Sequence, residues 1–297
     1  MLRALRIALF LSGLTILTAV AGPPTFQLLA VYDYHYQGYP PITTFGGAIS
    51  NNGTVVGIFT SSNLNGTQSF ERFPNGRFSA PIIFPAAPGT VTFAEGINSA
   101  GLICGYFSPP NEVHGFFYDG TTYTQYDVPG ANRTFLFGLN DAGDFIGYYY
   151  TGNPQVQTAF VSVAGTITPI EIPGVSIVSP SAINNFGQIV GYYLDPVNPA
   201  LVHGFFRDAD GTLIYPLDYP GPRTTALSGL NDKGQIVGSW DDSNFTQHGL
   251  FLILPNHFLS YDSPGGYTAF GGINNHRTIS GWTDDSGDHG LLVQLIR

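Results

Sequence analysis

LNDAGDFIGYY, residues 139–149, has the form of a β-hairpin, because apolar runs flank an Asn-Asp-Ala-Gly turn. Asn and Gly are the residues that tolerate or bond the left-handed backbone such a turn needs. The phrase returns as INNFGQIVGYY from residue 183 and LNDKGQIVGSW from residue 230. Six copies occur in all, the others being ISNNGTVVG from Ile49, INSAGLICG from Ile97 and INNHRTISG from Ile273. Their final glycines are Gly57, Gly105, Gly147, Gly191, Gly238 and Gly281, at intervals of 48, 42, 44, 47 and 43 residues. Self-similarity at this period indicates stacked supersecondary units, none of which buries its apolar face alone.

Two more phrases follow in each unit. The first is His114-Gly115-Phe116-Phe117, Thr158-Ala159-Phe160, His203-Gly204-Phe205-Phe206, His248-Gly249-Leu250-Phe251 and His289-Gly290-Leu291-Leu292, with a weaker Gln68-Ser69-Phe70. The second is YDVPG from Tyr126, IEIPG from Ile170, LDYPG from Leu217 and YDSPG from Tyr261. Each unit therefore parses into four short strands, in the third copy TFLFGLN, DFIGYYY, QTAFVSV and TITPIEI. Four strands repeated six times predict an all-β fold, a six-bladed β-propeller; an open β-solenoid needs neither closure nor this strand count. The last copy stops after its third strand, HGLLVQLIR, while FQLLAVYDY at 26–34 carries the missing Tyr-Asp ending. The N-terminal strand is expected to complete the last blade, closing the ring and removing a pair of exposed edges.

The INNxGxIVGYY, HGFF and YDxPG phrases, recurring in the same order over about residues 44–292, resemble the bacterial extracellular HAF-repeat proteins. That family is named for a His-Ala-Phe-like signature that here reads His-Gly-Phe or His-Gly-Leu. The resemblance implies export and a propeller-like fold, and it brings no established activity and no catalytic residues.

Residues 1–21 carry Arg3 and Arg6, then an apolar run, then Ala19-Val20-Ala21, the pattern of a cleaved signal peptide. The apolar run from Ile7 to Leu17 is short for a membrane span of about 20 residues. The expected mature chain, 22–297, is a single propeller domain, secreted or periplasmic. Among 297 residues there are 20 acids against 10 lysines and arginines, and Lys233 is the only lysine. Phosphate backbones and anionic membranes, both held by clustered cations, are excluded as partners. Cys104, the sole cysteine, stands where other copies have Val56, Ile146, Val190, Val237 and Ser280, and reads as a small core residue. Sequons begin at Asn52, Asn65, Asn132 and Asn244 and read as turn residues.

A residue found at the same place in every blade serves the blade. His114, His203, His248 and His289 are thus expected to bond neighbouring backbone rather than share a metal, and Asp33, Asp127, Glu171, Asp218 and Asp262 to bond turn amides. Residues that break the repeat are better candidates, and the loops between second and third strands hold several. One begins Trp240-Asp241-Asp242-Ser243 and another Trp282-Thr283-Asp284-Asp285-Ser286, followed by Asp288. Asp195 stands at the place of Asp242 and Asp285. An acidic arc on one face could bind a hard cation such as calcium, with Asp195, Asp242 and Asp285 as ligands. Beside two tryptophans it could instead bind carbohydrate, rings stacking on indole. The competing reading is that Asp and Ser make solvated turns. Connections between blades add His35, Tyr36, Tyr39, Tyr267, Arg133 and Arg223, the arginines suited to an anionic group. No GxSxG, HExxH or Walker loop occurs. The expected function is a binding or scaffold module for an extracellular ligand, with a polysaccharide hydrolase or lyase using the paired carboxylates as the alternative.

Overall fold

The computed structural model describes residues 24–296 except 65, 222, 265, 285 and 286. The expected signal segment, the Asn65 sequon and Asp285 lie outside the described residues. Strand β1 (Thr25–Tyr32) is followed by β2 (Pro41–Ile49), β3 (Val55–Ser61) and β4 (Gln68–Arg72), which form blade one. Blade two is β5 (Val91–Ile97), β6 (Ile103–Ser108), β7 (His114–Tyr118) and β8 (Tyr123–Tyr126); blade three is β9 (Arg133–Leu139), β10 (Phe145–Thr151), β11 (Val156–Val163) and β12 (Thr166–Pro169). Blade four is β13 (Val178–Ile183), β14 (Ile189–Leu194), β15 (Val202–Arg207) and β16 (Leu213–Ile214), and blade five β17 (Thr225–Leu230), β18 (Gln235–Asp241), β19 (Gln247–Ile253) and β20 (His257–Tyr261). In blade six, β21 (Thr268–Ile273), β22 (Thr278–Asp284) and β23 (Asp288–Ile296) are joined by β1 as outermost strand. The molecule is an all-β, six-bladed propeller, and the ring closes as the sequence predicts.

Closure is antiparallel, from Thr25 opposite Ile296 to Tyr32 opposite Gly290, with one bulge between Leu28 and Ala30. Blade one departs from the four-strand expectation. Its outer position holds only single bridges, Arg72 to Phe78 and Ser69 to Ile82. The segment there, APIIFPAAPG, carries Pro81, Pro85 and Pro88, and proline cannot donate to a ladder.

The innermost strands β2, β5, β9, β13, β17 and β21 surround the axis, each touching the next and β21 touching β2. The core lies between blades: Val190 and Phe206 of blade four pack with Leu227, Ile236 and Leu250 of blade five. Cys104 is buried against Leu136 and Phe160 of blade three, as expected, and burial pushes its thiol upward. The repeated glycine serves a close backbone approach within each blade. A Cβ on Gly105 would lie 1.9 Å from the Phe93 carbonyl oxygen, and one on Gly147 2.0 Å from that of Phe135.

The Asn-Asp turns do more than reverse the chain. At one end of the axis, Asn98, Asn140, Asn184, Asn231 and Asn274 each donate Nδ2 to the carbonyl of the next blade's turn, at 2.9–3.3 Å. The following residues form a second, outer ring. Asn51 donates to Ser99 (3.2 Å), Ser99 to Asp141 (2.9 Å), Asn185 to both Asp141 and Asp232 (2.9 and 3.0 Å), Asn275 to Asp232 (2.7 Å), and the Asn275 amide to Asn51 (2.9 Å). The six blades are thus clasped side chain to neighbour around a complete circle.

Candidate functional site

On the opposite face, third and fourth strands pair so that the residue after the Tyr or Leu of YDxPG lies beside the histidine. The Nδ1 atoms of His114, His203, His248 and His289 meet Asp127 (3.0 Å), Asp218 (2.7 Å), Asp262 (2.5 Å) and Asp33 (2.6 Å). The partner is a carboxylate and not the backbone expected from sequence, because the ladder sets the two side chains level. The fourth aspartate comes from the closing strand's end, so blade six acquires its pair only when the ring is shut. On the other side of the imidazole, Nε2 of His114 meets Glu112 (3.1 Å) and that of His203 meets Asp195 (3.2 Å). Burial alone would lower the pKa of His114, but Glu112 and Asp127 outweigh it and the net shift is upward.

This geometry divides the acidic arc among separate blades. Asp195 accepts the Val197 and Asn198 amides besides its contact with His203, and those amides hold it below the usual carboxylate range. Asp242 is held low chiefly by the Thr246 amide, and lies 3.8 Å from His248. Asp241 accepts the Thr224 hydroxyl at 2.6 Å. Asp284 faces Asp288 across the strand pair, and its amide donates to the Tyr267 carbonyl. Among the described residues, no three His, Cys, Asp or Glu side chains are grouped to hold a metal ion.

The two tryptophans do not form one platform. Trp240 is two residues after Gly238 and Trp282 one after Gly281, so successive side chains put them on opposite faces of their blades. Trp240 stacks on Tyr219 (4.0 Å) and on His248 (4.4 Å) and donates Nε1–H to Ser260 (3.0 Å), which makes it part of the packing between blades four and five. Trp282 meets Phe45 edge-on at 5.3 Å. The Arg223 guanidinium lies 3.4 Å from the centre of the Phe245 ring. Arg133 starts β9 opposite Tyr150. His35, Tyr36 and Tyr39 line a shallow depression of their own at the connection from β1 to β2.

The same face opens where the His–Asp pair is absent. In blade three the pair is replaced by Thr158 and Glu171, placed level because the Ile170 amide bonds the Ala159 carbonyl (2.8 Å) as Leu217 bonds Gly204 in blade four (2.9 Å). There a cleft of about 560 Å³ runs between the start of β11 and the 170–178 connection, lined by Gln157, Thr158, Glu171, Pro173, Val175 and Ser176. Gln157 Oε1 is buried with no hydrogen-bond partner among the described residues. Blade one, with Gln68 and Ala86 at those places, has a cleft of about 370 Å³, and Gln68 Oε1 is again without a partner. Thr158 and Glu171 were legible as departures from the histidine and aspartate of the other blades. They stand outside the loops between second and third strands, as does Glu95 on the inner strand of blade two.

No family model and no curated protein matches the chain. Solved structures do. A fungal lectin from Aleuria aurantia, described as a six-bladed β-propeller with a novel mode of fucose recognition, is 13% identical over 86% of this chain and 97% of its own (TM-score 0.52). The SapL1 lectin in complex with α-methyl fucoside is 15% identical over 82% and 89% (0.52). TolB from Acinetobacter baumannii is 12% identical over 77% of this chain and 56% of its own (0.57). At these identities the likeness is one of fold.

Proposed function

We propose that the protein is a ligand-binding propeller of the HAF-repeat type, acting outside the cytoplasm, whose ligand is a carbohydrate held in the blade-three cleft. The observation that carries this is the cleft itself, about 560 Å³, opening where Thr158 and Glu171 replace the histidine and aspartate of other blades. Its size suits a sugar of one or a few rings. Its polar groups, the Gln157 carbonyl, the Thr158 hydroxyl and the exposed Glu171 carboxylate, accept hydrogen bonds from hydroxyls, while Pro173 and Val175 offer an apolar wall to a ring's C–H face. Of the lectins of like fold, one is described as recognising fucose on a six-bladed ring and the other is in complex with α-methyl fucoside, which supports the ligand class. The cleft takes the place of the two-tryptophan platform, whose indoles do not share a face.

The test restores the repeat. Thr158→His with Glu171→Asp rebuilds the pair that blades two, four, five and six already accommodate, so the fold is expected to hold. Glycan-array binding by the double variant should fall by about tenfold or more, as loss of even one buried hydrogen bond of about 1.4 kcal/mol would give. Unchanged glycan binding would move the ligand off this cleft.

A further inference from the structure

The axis holds a second feature that the clefts do not explain. Every inner strand carries a bulge three residues before its turn asparagine or serine: the ladder passes from Ala94 to Gly96 opposite Gly105 and Cys104, leaving Glu95 out, and likewise leaves out Ser181, Ser228 and Gly271. Bulges re-aim the extra residue, and here they aim it into the channel. Glu95, Phe137, Ser181, Ser228 and Gly271 line an axial cavity of about 80 Å³ below the polar rings' level. Five counterparts of Glu95 are Gly47, Phe137, Ser181, Ser228 and Gly271, none ionisable. A carboxyl is not needed for blade or ring.

No hydrogen bond or ion pair is given to Glu95 by any described residue, and no arginine, lysine or histidine lines its cavity. The titratable groups facing it are Tyr106 and Tyr148 on the second strands and the Cys104 thiol, all held neutral by burial and by the Glu95 charge itself, so none supplies a positive partner. Beside it stands an aromatic cluster. Phe137 lies 6.1 Å from Tyr106 and 5.1 Å from Tyr148, and both tyrosines pack on Phe135 (4.9 and 4.7 Å). One uncompensated carboxylate among aromatic rings is the composition of a site for an organic cation, combining an ion pair with attraction to ring faces. A divalent metal would want six to eight oxygen ligands, which this wall does not offer.

We infer that the axial cavity binds the protonated amino group of an alkylamine, with Glu95 as counter-ion and Phe137 among the rings flanking it. The ligand supplies the positive charge that the chain withholds. Burial pushes Glu95 up to about 7, so the site is charged only toward neutral and higher pH. Below that, affinity is expected to fall by about tenfold per pH unit.

The experiment is calorimetric titration of the purified protein with butylamine at about pH 8, where the amine is cationic, against butanol, potassium chloride and calcium chloride. Saturable binding of butylamine, and not of butanol or either salt, is expected. Glu95→Gln should weaken it by about tenfold or more, and Phe137→Ser, the residue of blades four and five, by a few-fold. Glu95→Ser, also a residue those blades accept, guards against misfolding of the glutamine variant. The blade-three double variant should bind butylamine normally, which separates this site from the carbohydrate cleft. Equal binding of butylamine and butanol, binding indifferent to Glu95, or Glu95-dependent binding of a metal ion instead would each overturn the assignment.

Discussion

Glu95 carries an energetic cost that its five counterparts avoid. Part of its surface opens onto the channel, but burial of the rest lifts its pKa from 4.5 to about 7. Between those values the folded chain holds a proton that the unfolded chain has released, so stability falls as pH rises through the window from 4.5 to about 7. Glu95→Gln should therefore match the parent at about pH 4 and exceed it by roughly 1–3 kcal/mol at about pH 8, allowing for solvent in the channel. Urea unfolding at the two pH values checks this, and equal stabilities at the higher one would mean a solvated carboxylate. A residue whose removal both stabilises the protein and weakens the binding of a ligand is one retained for function.

At the scale of the element, the hairpin turn is where the sequence shows most and conceals most. Asn and Gly at the turn ends were readable as turn chemistry, and so was the four-strand parse. The interblade clasp was not, because a single turn already accounts for each Asn, and only the ring brings Asn231 of one blade onto Asn274 of the next. The bulge hid Glu95 for a related reason: an extra residue shifts the in-out alternation by one, so a two-residue period assigns the side chain to the wrong face. Likewise Trp240 and Trp282 looked equivalent by composition, whereas their one-residue offset from Gly238 and Gly281 separates them. Asn231 accepts the Lys233 and Gln235 amides and donates to Gln235 and to the Asn274 carbonyl while 4% exposed. Asn231→Ala should cost about 2–4 kcal/mol in thermal or urea unfolding, since several buried groups lose partners. Ser99→Ala, on the exposed outer ring, should cost less than about 1 kcal/mol.

For the whole molecule, the six-fold count and the closing strand followed from the repeat, because period and chain order survive in sequence even where contacts do not. Blade one's missing outer strand went against the four-strand expectation, because the prolines of its last segment cannot donate to a ladder whatever the repeat implies. Closure has a measurable weight. Phe26 on β1 packs 5.2 Å from Tyr261 and 6.3 Å from Phe251, tying the outermost strand of blade six to blade five, and 6.0 Å from Phe270 within blade six. Phe26→Ala should lower stability by about 2–4 kcal/mol and promote concentration-dependent association through the loosened edge. Leu29→Ala, 49% exposed on the same strand, should change it by less than about 0.5 kcal/mol. Unfolding followed by two probes, with light scattering for association, distinguishes the two.

The pairing of β1 with β23 also fixes a timetable. During synthesis the latch, β1, emerges well before its catch, β23, with the other strands between them, an interval on the order of tens of seconds at about 5–20 residues per second. Throughout it, the stretch TFQLLAVY stays unmated and apolar, open to any stray strand it meets. The last step of assembly is therefore also the one most exposed to error.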